Sequence, residues 1–194
     1  MTGVQTCALP ICPIVTPTNF GTVTISARQT GDLYYTAAAP VVSSFEVTRD
    51  NLNTWRIRYF TPGELNNPLL SGPLADFDGD GVNNLFEFAL NRDPKLSDRT
   101  TMIAGTGTAG LPLIRAEDVS GQQRLTAEYV RRQATGRPGI TYHVEFTSGL
   151  TNPAWLESGT EVVTQIDDTW ERVKVTDQQP AFPNRYSRLK VTMP

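Results

Sequence analysis

Alternating apolar and polar residues mark the two ends of this chain, and helical spacing marks its middle. Thr22-Val23-Thr24-Ile25-Ser26-Ala27 alternates as a half-buried strand does, and Ser44-Phe45-Glu46-Val47-Thr48 repeats the pattern. Between them Gln29-Thr30-Gly31-Asp32 supplies turn residues and Tyr34-Tyr35 supplies aromatic anchors. From Leu111 onward, short apolar runs bounded by turn residues predict strands over 111–115, 124–131, 140–147, 161–166, 170–176 and 185–192. Tyr142, Val144 and Phe146 share one face, as do Val173 and Val175. Ile166-Asp167-Asp168-Thr169-Trp170 reads as a tight hairpin turn. Strands this short, with turns this frequent, predict an antiparallel β-sandwich.

The middle third has a different rhythm. Asp50 or Asn51 is placed to cap a short helix that runs through Phe60, on which Trp55, Tyr59 and Phe60 share a face. Thr61-Pro62-Gly63-Glu64 reads as a capping box with proline at the first helical position. Pro68 and Ser71-Gly72-Pro73 are expected to stop that second helix. After an acidic loop, 84–90 should form a third helix, ending near Asn91 before Asp93-Pro94. A Gly/Thr-rich linker follows over 99–110. The expected fold is therefore mainly β with a small helical insert: strands over 13–48, a helical spacer over 49–98, the linker, and a β-sandwich over 111–194.

Composition narrows the function. Of 194 residues, 39% are hydrophobic and 19% charged, the balance of an ordinary globular chain. A net charge of −3 gives no basic face for nucleic acid. No apolar run approaches the roughly 20 residues that span a bilayer. Cys7 and Cys12 are the only cysteines. Both fall in or beside Met1 to Ile11, which resembles the translation of a common sequencing adapter read from a GTG start. That resemblance sets residues 1–12 aside from fold reasoning, leaves the remainder without cysteine, and implies a chain that continues upstream.

One stretch carries explicit chemistry. Asp76-Phe77-Asp78-Gly79-Asp80-Gly81, followed by Val82-Asn83-Asn84-Leu85-Phe86-Glu87, fits D-x-[DN]-x-[DN]-G-x₅-E at every specified position. A calcium ion takes about 6–8 oxygens at roughly 2.3–2.6 Å. Alternate residues Asp76, Asp78 and Asp80 bring carboxylates to one centre, and Gly81 permits the sharp turn. Val82 would offer its backbone carbonyl, Asn84 a direct or water-mediated ligand, and Glu87 two oxygens from the first turn of the exit helix. Without a cation these carboxylates repel one another, and no Lys or Arg lies between Asp76 and Glu87. The competing explanation, a solvated acidic turn, does not account for all the matching positions and the helix that follows.

Departures from a paired EF-hand are plain. Asn83 stands where an apolar residue is usual, there is no second loop, and Pro68 and Pro73 interrupt the incoming helix. The segment SGPLADFDGDGVNNLFEFALNRDP instead resembles the single calcium loops of dockerin and bacterial thrombospondin type 3 repeats. Upstream Trp55-Arg56 and Phe60-Thr61 extend the likeness. The strands over 13–48 resemble the closing strands of bacterial immunoglobulin-like repeats, and RYSRLKVTMP resembles the last strand of large secreted proteins of Verrucomicrobia-like bacteria. The resemblance implies a truncated immunoglobulin-like segment, a calcium-clipped spacer and a C-terminal sandwich in an extracellular or cell-surface protein.

Catalytic arrangements are thin. His143, the only histidine, alternates outward with Glu145 and reads as a surface strand pair. Glu117/Asp118 and Asp167/Asp168 read as solvated turn charges, and Arg131, Arg132 and Arg137 as a solvated loop around a Gly/Pro turn. The expectation is a non-enzymatic, calcium-binding structural or adhesion module, with a surface polysaccharide or another extracellular protein as partner. The alternative is a carbohydrate-binding accessory module of a lost polysaccharide-degrading enzyme, with Trp155, Trp170 or Tyr186 stacking on sugar.

Overall fold

A computed structural model describes residues 21–47, 51–134, 139–181 and 183–193. Residues 1–12 with both cysteines, and Thr48, Asp50 and Arg137, lie outside them. The chain forms two compact units, Met1–Arg49 and Asp50–Pro194.

In the first unit, β1 (Gly21–Gln29) and β2 (Ala38–Val47) pair antiparallel, with Val23 opposite Phe45. The Asp32 carboxylate accepts the amides of Tyr34 and Tyr35 at 2.8 and 2.9 Å and shapes the connection. Tyr34 and Tyr35, expected as anchors, are exposed there, held by that Asx turn outside the paired strands.

The second unit begins with four short helices, each started by its own cap. In α1 (Leu52–Tyr59) the Asn51 side chain accepts the Thr54 amide and the Thr54 hydroxyl accepts the Asn51 amide, both at 2.9 Å. In α2 (Pro62–Leu65) Glu64 reaches back to the Thr61 amide at 2.7 Å. Pro68 does not merely end α2. Capped by Asn67, it opens a further turn, α3 (Pro68–Ser71), because proline's missing N–H costs nothing at a first helical position. The fully buried Ser71 hydroxyl donates to Glu64 O and accepts from the Arg56 guanidinium, tying these helices together. Asn83 caps α4 (Asn84–Ala89), which explains the polar residue at that position of the loop.

Six antiparallel strands follow: β3 (Leu113–Val119), β4 (Gln122–Arg132), β5 (Thr141–Thr147), β6 (Gly159–Gln165), β7 (Trp170–Pro180) and β8 (Tyr186–Thr192). They form a four-stranded sheet in the order β3-β4-β7-β6 and a two-stranded sheet of β5 and β8. The fold is mainly β with a small helical insert, as the pattern predicts. Strands β3 and β4 run further than expected because Ser120 and Gly121 adopt φ of 55° and 79°, the backbone of a two-residue hairpin turn. Glu117 therefore lies within β3, ion-paired to Arg115 and Lys174 rather than solvated in a turn. Tyr129 of β4 stacks on Tyr142 of β5 at 6.0 Å, and Phe146, Val173 and Val175 are buried in the same core.

That core does not stop at the sheets. It continues through Leu90, Phe88, Trp55 and Leu52 of the helical segment. Arg132, expected in a solvated loop, is 3% exposed. Its guanidinium lies 3.9 Å from the centre of the Phe88 ring and 4.5 Å from that of Trp170, a buried cation held between two aromatic faces. The Tyr142 hydroxyl donates to Ala89 O at 2.9 Å. Residues 99–110, expected as a linker, also pack on this unit: Met102 is buried, and the Gly105 amide donates to Glu128 at 2.7 Å.

Phe88→Ala should remove about 3–5 kcal/mol of stability, the usual cost of deleting a buried aromatic ring. Urea unfolding followed by tryptophan fluorescence reads it. One transition shifted to lower urea is expected; two separated transitions would mean that helices and sheets unfold independently.

Candidate metal centre

The loop between α3 and α4 is organised by its own backbone. The two Asp76 oxygens accept the amides of Gly79 at 2.9 Å and Gly81 at 2.8 Å. One Asp78 oxygen accepts the Asp80 amide at 3.1 Å, and one Asp80 oxygen accepts the Val82 amide at 2.7 Å. Gly79 and Gly81 have φ of 75° and 89°, which other residues adopt only at a cost. Curling in this way brings one carboxylate oxygen each from Asp76, Asp78 and Asp80 to within 4.8 Å of one another.

Asn84 and Glu87 enter from α4. Asn84 is fully buried; its amide nitrogen donates to Leu70 O at 3.0 Å and Gly72 O at 2.8 Å, while its Oδ1 has no hydrogen-bond partner. Glu87 is 1% exposed, and its Oε1 is likewise without a partner, as is Oδ2 of Asp78. One acceptor oxygen each of Asn84, Glu87 and Asp78 is therefore buried without a partner, while the carboxylates that converge within 4.8 Å are those of Asp76, Asp78 and Asp80, with Glu87 outside that group. Val82 is a buried neighbour whose amide supports Asp80.

Other buried carboxylates in the molecule show what compensation looks like. Asp177 is met by Arg185, Ser158 and the Gln179 amide, and these hold its pKa low although burial opposes its charge. Glu128 is met by Arg172 and the Gly105 amide. Glu87 has no such arrangement. Burial first, then the charges of Asp78 and Asp80, push its pKa up to about 8, against a weaker opposing pull from Arg92. Burial likewise raises that of Asp78.

Arg92 is the residue that the loop pattern does not contain. Helix α4 ends in a Schellman motif: Asn91 turns left-handed at φ 58° and the Arg92 amide returns to Glu87 O at 2.8 Å. The chain reversal brings the buried Arg92 guanidinium to Asp80 Oδ2 at 3.3 Å, which the Asp98 amide also reaches at 3.2 Å. Asp80 is thereby braced from outside the loop, and the cluster is only partly neutralised. The sequence signal was faint: an asparagine at the expected helix end, with an arginine next to it.

The donor set is all oxygen, acidic and backbone-braced, which suits a hard divalent cation and not a soft one. Among the described residues no comparable cluster forms around His143. Its Nδ1 lies 2.6 Å from Glu157 at a partly open surface, while Glu145 pairs with Arg188 instead. Of the three candidate stacking aromatics, Trp170 is buried against Arg132, Trp155 lies under Arg188 at 4.2 Å, and Tyr186 is exposed. Comparison with known proteins finds no family model, curated protein or solved structure that matches this chain.

The folded chain holds a proton on Glu87 up to about pH 8, whereas an unfolded glutamate releases it near 4.5. Between those values the folded state binds more protons, so stability in chelator should fall as pH rises through the window and level off above it. Thermal melts in EDTA across that range check this, and Glu87→Gln should flatten the trend.

Proposed function

We propose that residues 76–87 bind a single calcium ion, and that the ion acts as a structural clip in a non-catalytic module of a secreted or cell-surface bacterial protein. The observation that carries this reading is the buried Glu87 carboxylate, whose Oε1 has no partner and which feels the charges of three converging aspartates. A solvated acidic turn would leave these oxygens in water. Here Glu87 Oε1, Asn84 Oδ1 and Asp78 Oδ2 have lost water and gained no donor, an arrangement that costs free energy unless a cation takes the donor's place.

In this reading Asp76, Asp78, Asp80, the Val82 carbonyl, Asn84 and Glu87 hold the ion. Calcium would supply positive charge at a point where the chain supplies only part of it, through Arg92. The chain's own residues set the geometry: glycine amides fix Asp76, Asn83 starts the helix that carries Glu87, and Asn84 fastens that helix to the end of α3. The role is structural rather than sensory, because Phe88 and Leu90, next to Glu87, are locked in the core and leave α4 little room to swing. The family resemblance supports an extracellular setting, with spacing and adhesion as the work of the whole. Sugar binding through exposed aromatics is less supported, since Trp170 is buried and Arg188 lies over the half-buried Trp155.

Calorimetric titration should give one calcium per chain. At a free concentration 100-fold above Kd the folded state should gain about 2.7 kcal/mol, visible as a raised melting temperature. Asp80→Ala and Glu87→Gln should each abolish the heat. Absence of heat at millimolar calcium, with both variants behaving as the parent does, would sink the proposal.

A further inference from the structure

A groove of about 440 Å³ opens between the turn after α4 and the loop at 100–110, within the roughly 300–1,000 Å³ usual for small-ligand sites. Its lining has a distinctive chemistry. Asp93 and Asp98 bring carboxylates, Thr101 and Thr106 bring hydroxyls, and Leu96 and Ile103 bring apolar surface that is 60% and 70% exposed. The lining's one cation, Arg92, is buried and committed to Asp80. One oxygen of each carboxylate is taken, Asp93 Oδ1 by the Lys95 amide and Asp98 Oδ1 by the Thr100 amide and hydroxyl. The two carboxylates, without an available cation, repel an anionic ligand and offer their other oxygens to hydroxyl groups, and the apolar side chains are left to pack on a ring's C–H face.

We infer that this groove binds a short neutral oligosaccharide, and that calcium in the adjacent loop strengthens the binding. The second half rests on the calcium reading above. The wall after α4 is fastened to Asp80 at two points. Asp80 Oδ2 accepts from Arg92 at 3.3 Å and from the Asp98 amide at 3.2 Å. Arg92 reaches on to Thr100 O at 3.4 Å, and the Asn91 side chain donates to Thr108 O at 3.0 Å, so the two walls are also joined to each other. A cation that fixes Asp80 fixes this lattice. Its loss leaves three like charges within 4.8 Å to push the loop apart and release the Asp98 amide and Arg92. Coupling of this kind is reciprocal, so sugar should also tighten calcium.

The test is amide-resolved NMR on the full chain. Calcium is titrated first and the amides of 76–87 are followed. Cellotriose, xylotriose and maltotriose are then added with calcium and with EGTA, and trigalacturonate serves as the anionic control. The expected result is a shift of amides within 91–110 by at least one neutral trisaccharide and none by trigalacturonate. Affinity should be greater with calcium by a factor in the usual range of about 5- to 150-fold. Thr106→Val should weaken sugar binding about threefold to tenfold, the worth of one hydrogen bond, without disturbing the loop amides. If the loop takes calcium and no trisaccharide moves the groove amides, the groove inference is overturned while the calcium reading stands. Equal sugar affinity in calcium and EGTA overturns the coupling. A loop that ignores calcium overturns the calcium reading and the coupling together.

Discussion

Helix α4 must satisfy two environments within six residues, and the rest of the second unit is arranged around that constraint. Asn84 and Glu87 belong to the acidic loop. Phe88 and Ala89 belong to a core that reaches into both sheets. A helix this short cannot rotate to relieve one side without exposing the other. Burying Phe88 therefore buries Glu87 as well, against the carboxylates of Asp78 and Asp80. The electrostatic strain at the loop follows from hydrophobic packing elsewhere, and the proposed cation would relieve it without moving the core.

Arg132 and Arg92 link these two demands to the remaining chain. Arg132 sits between Phe88 and Trp170, so the end of β4 and the start of β7 close over α4. Arg92 joins Asp80 to the strand-like stretch that begins at Thr100 and leads into the sheet. Each is a charged group in a buried place, and each is kept there by specific partners. Breaking such a partnership leaves an uncompensated charge in the interior, so removing one partner costs more than losing a surface ion pair.

Much of this architecture was legible in the sequence, for reasons that can be named. The caps at Asn51 and Thr61 are local hydrogen-bond patterns written in adjacent residues, and the strands over 140–147 and 185–192 carry plain alternation. The loop's convergence of Asp76, Asp78 and Asp80 follows from spacing alone. What escaped notice depends on tertiary context. The α3 turn was hidden because Pro68 serves equally as a stop and as a first helical residue, and only Asn67's side chain decides between them. Arg132 looked solvated because two aromatic rings that bury it lie 44 and 38 positions away in the chain. Residues 99–110 looked like a linker because glycine and threonine have little hydrophobicity to announce contact. They are held through backbone groups and one methionine. The Arg92 brace was unreadable because a helix end had to fold back before the guanidinium met Asp80.

The separate caps on the four helices have a consequence for the order of events in folding. Each helix from α1 to α4 is capped by residues two or three positions apart, so the segment 51–92 can sample its turns before any sheet exists. Strands β5 and β8 instead join Thr141 to Thr192, and β4 finds β7 across an equally long stretch. Closing such distances is entropically costly and slow compared with forming a helical turn. Helices this short are marginal alone, so the turns persist only once Phe88 and Leu90 of the α4 end are packed against the sheets.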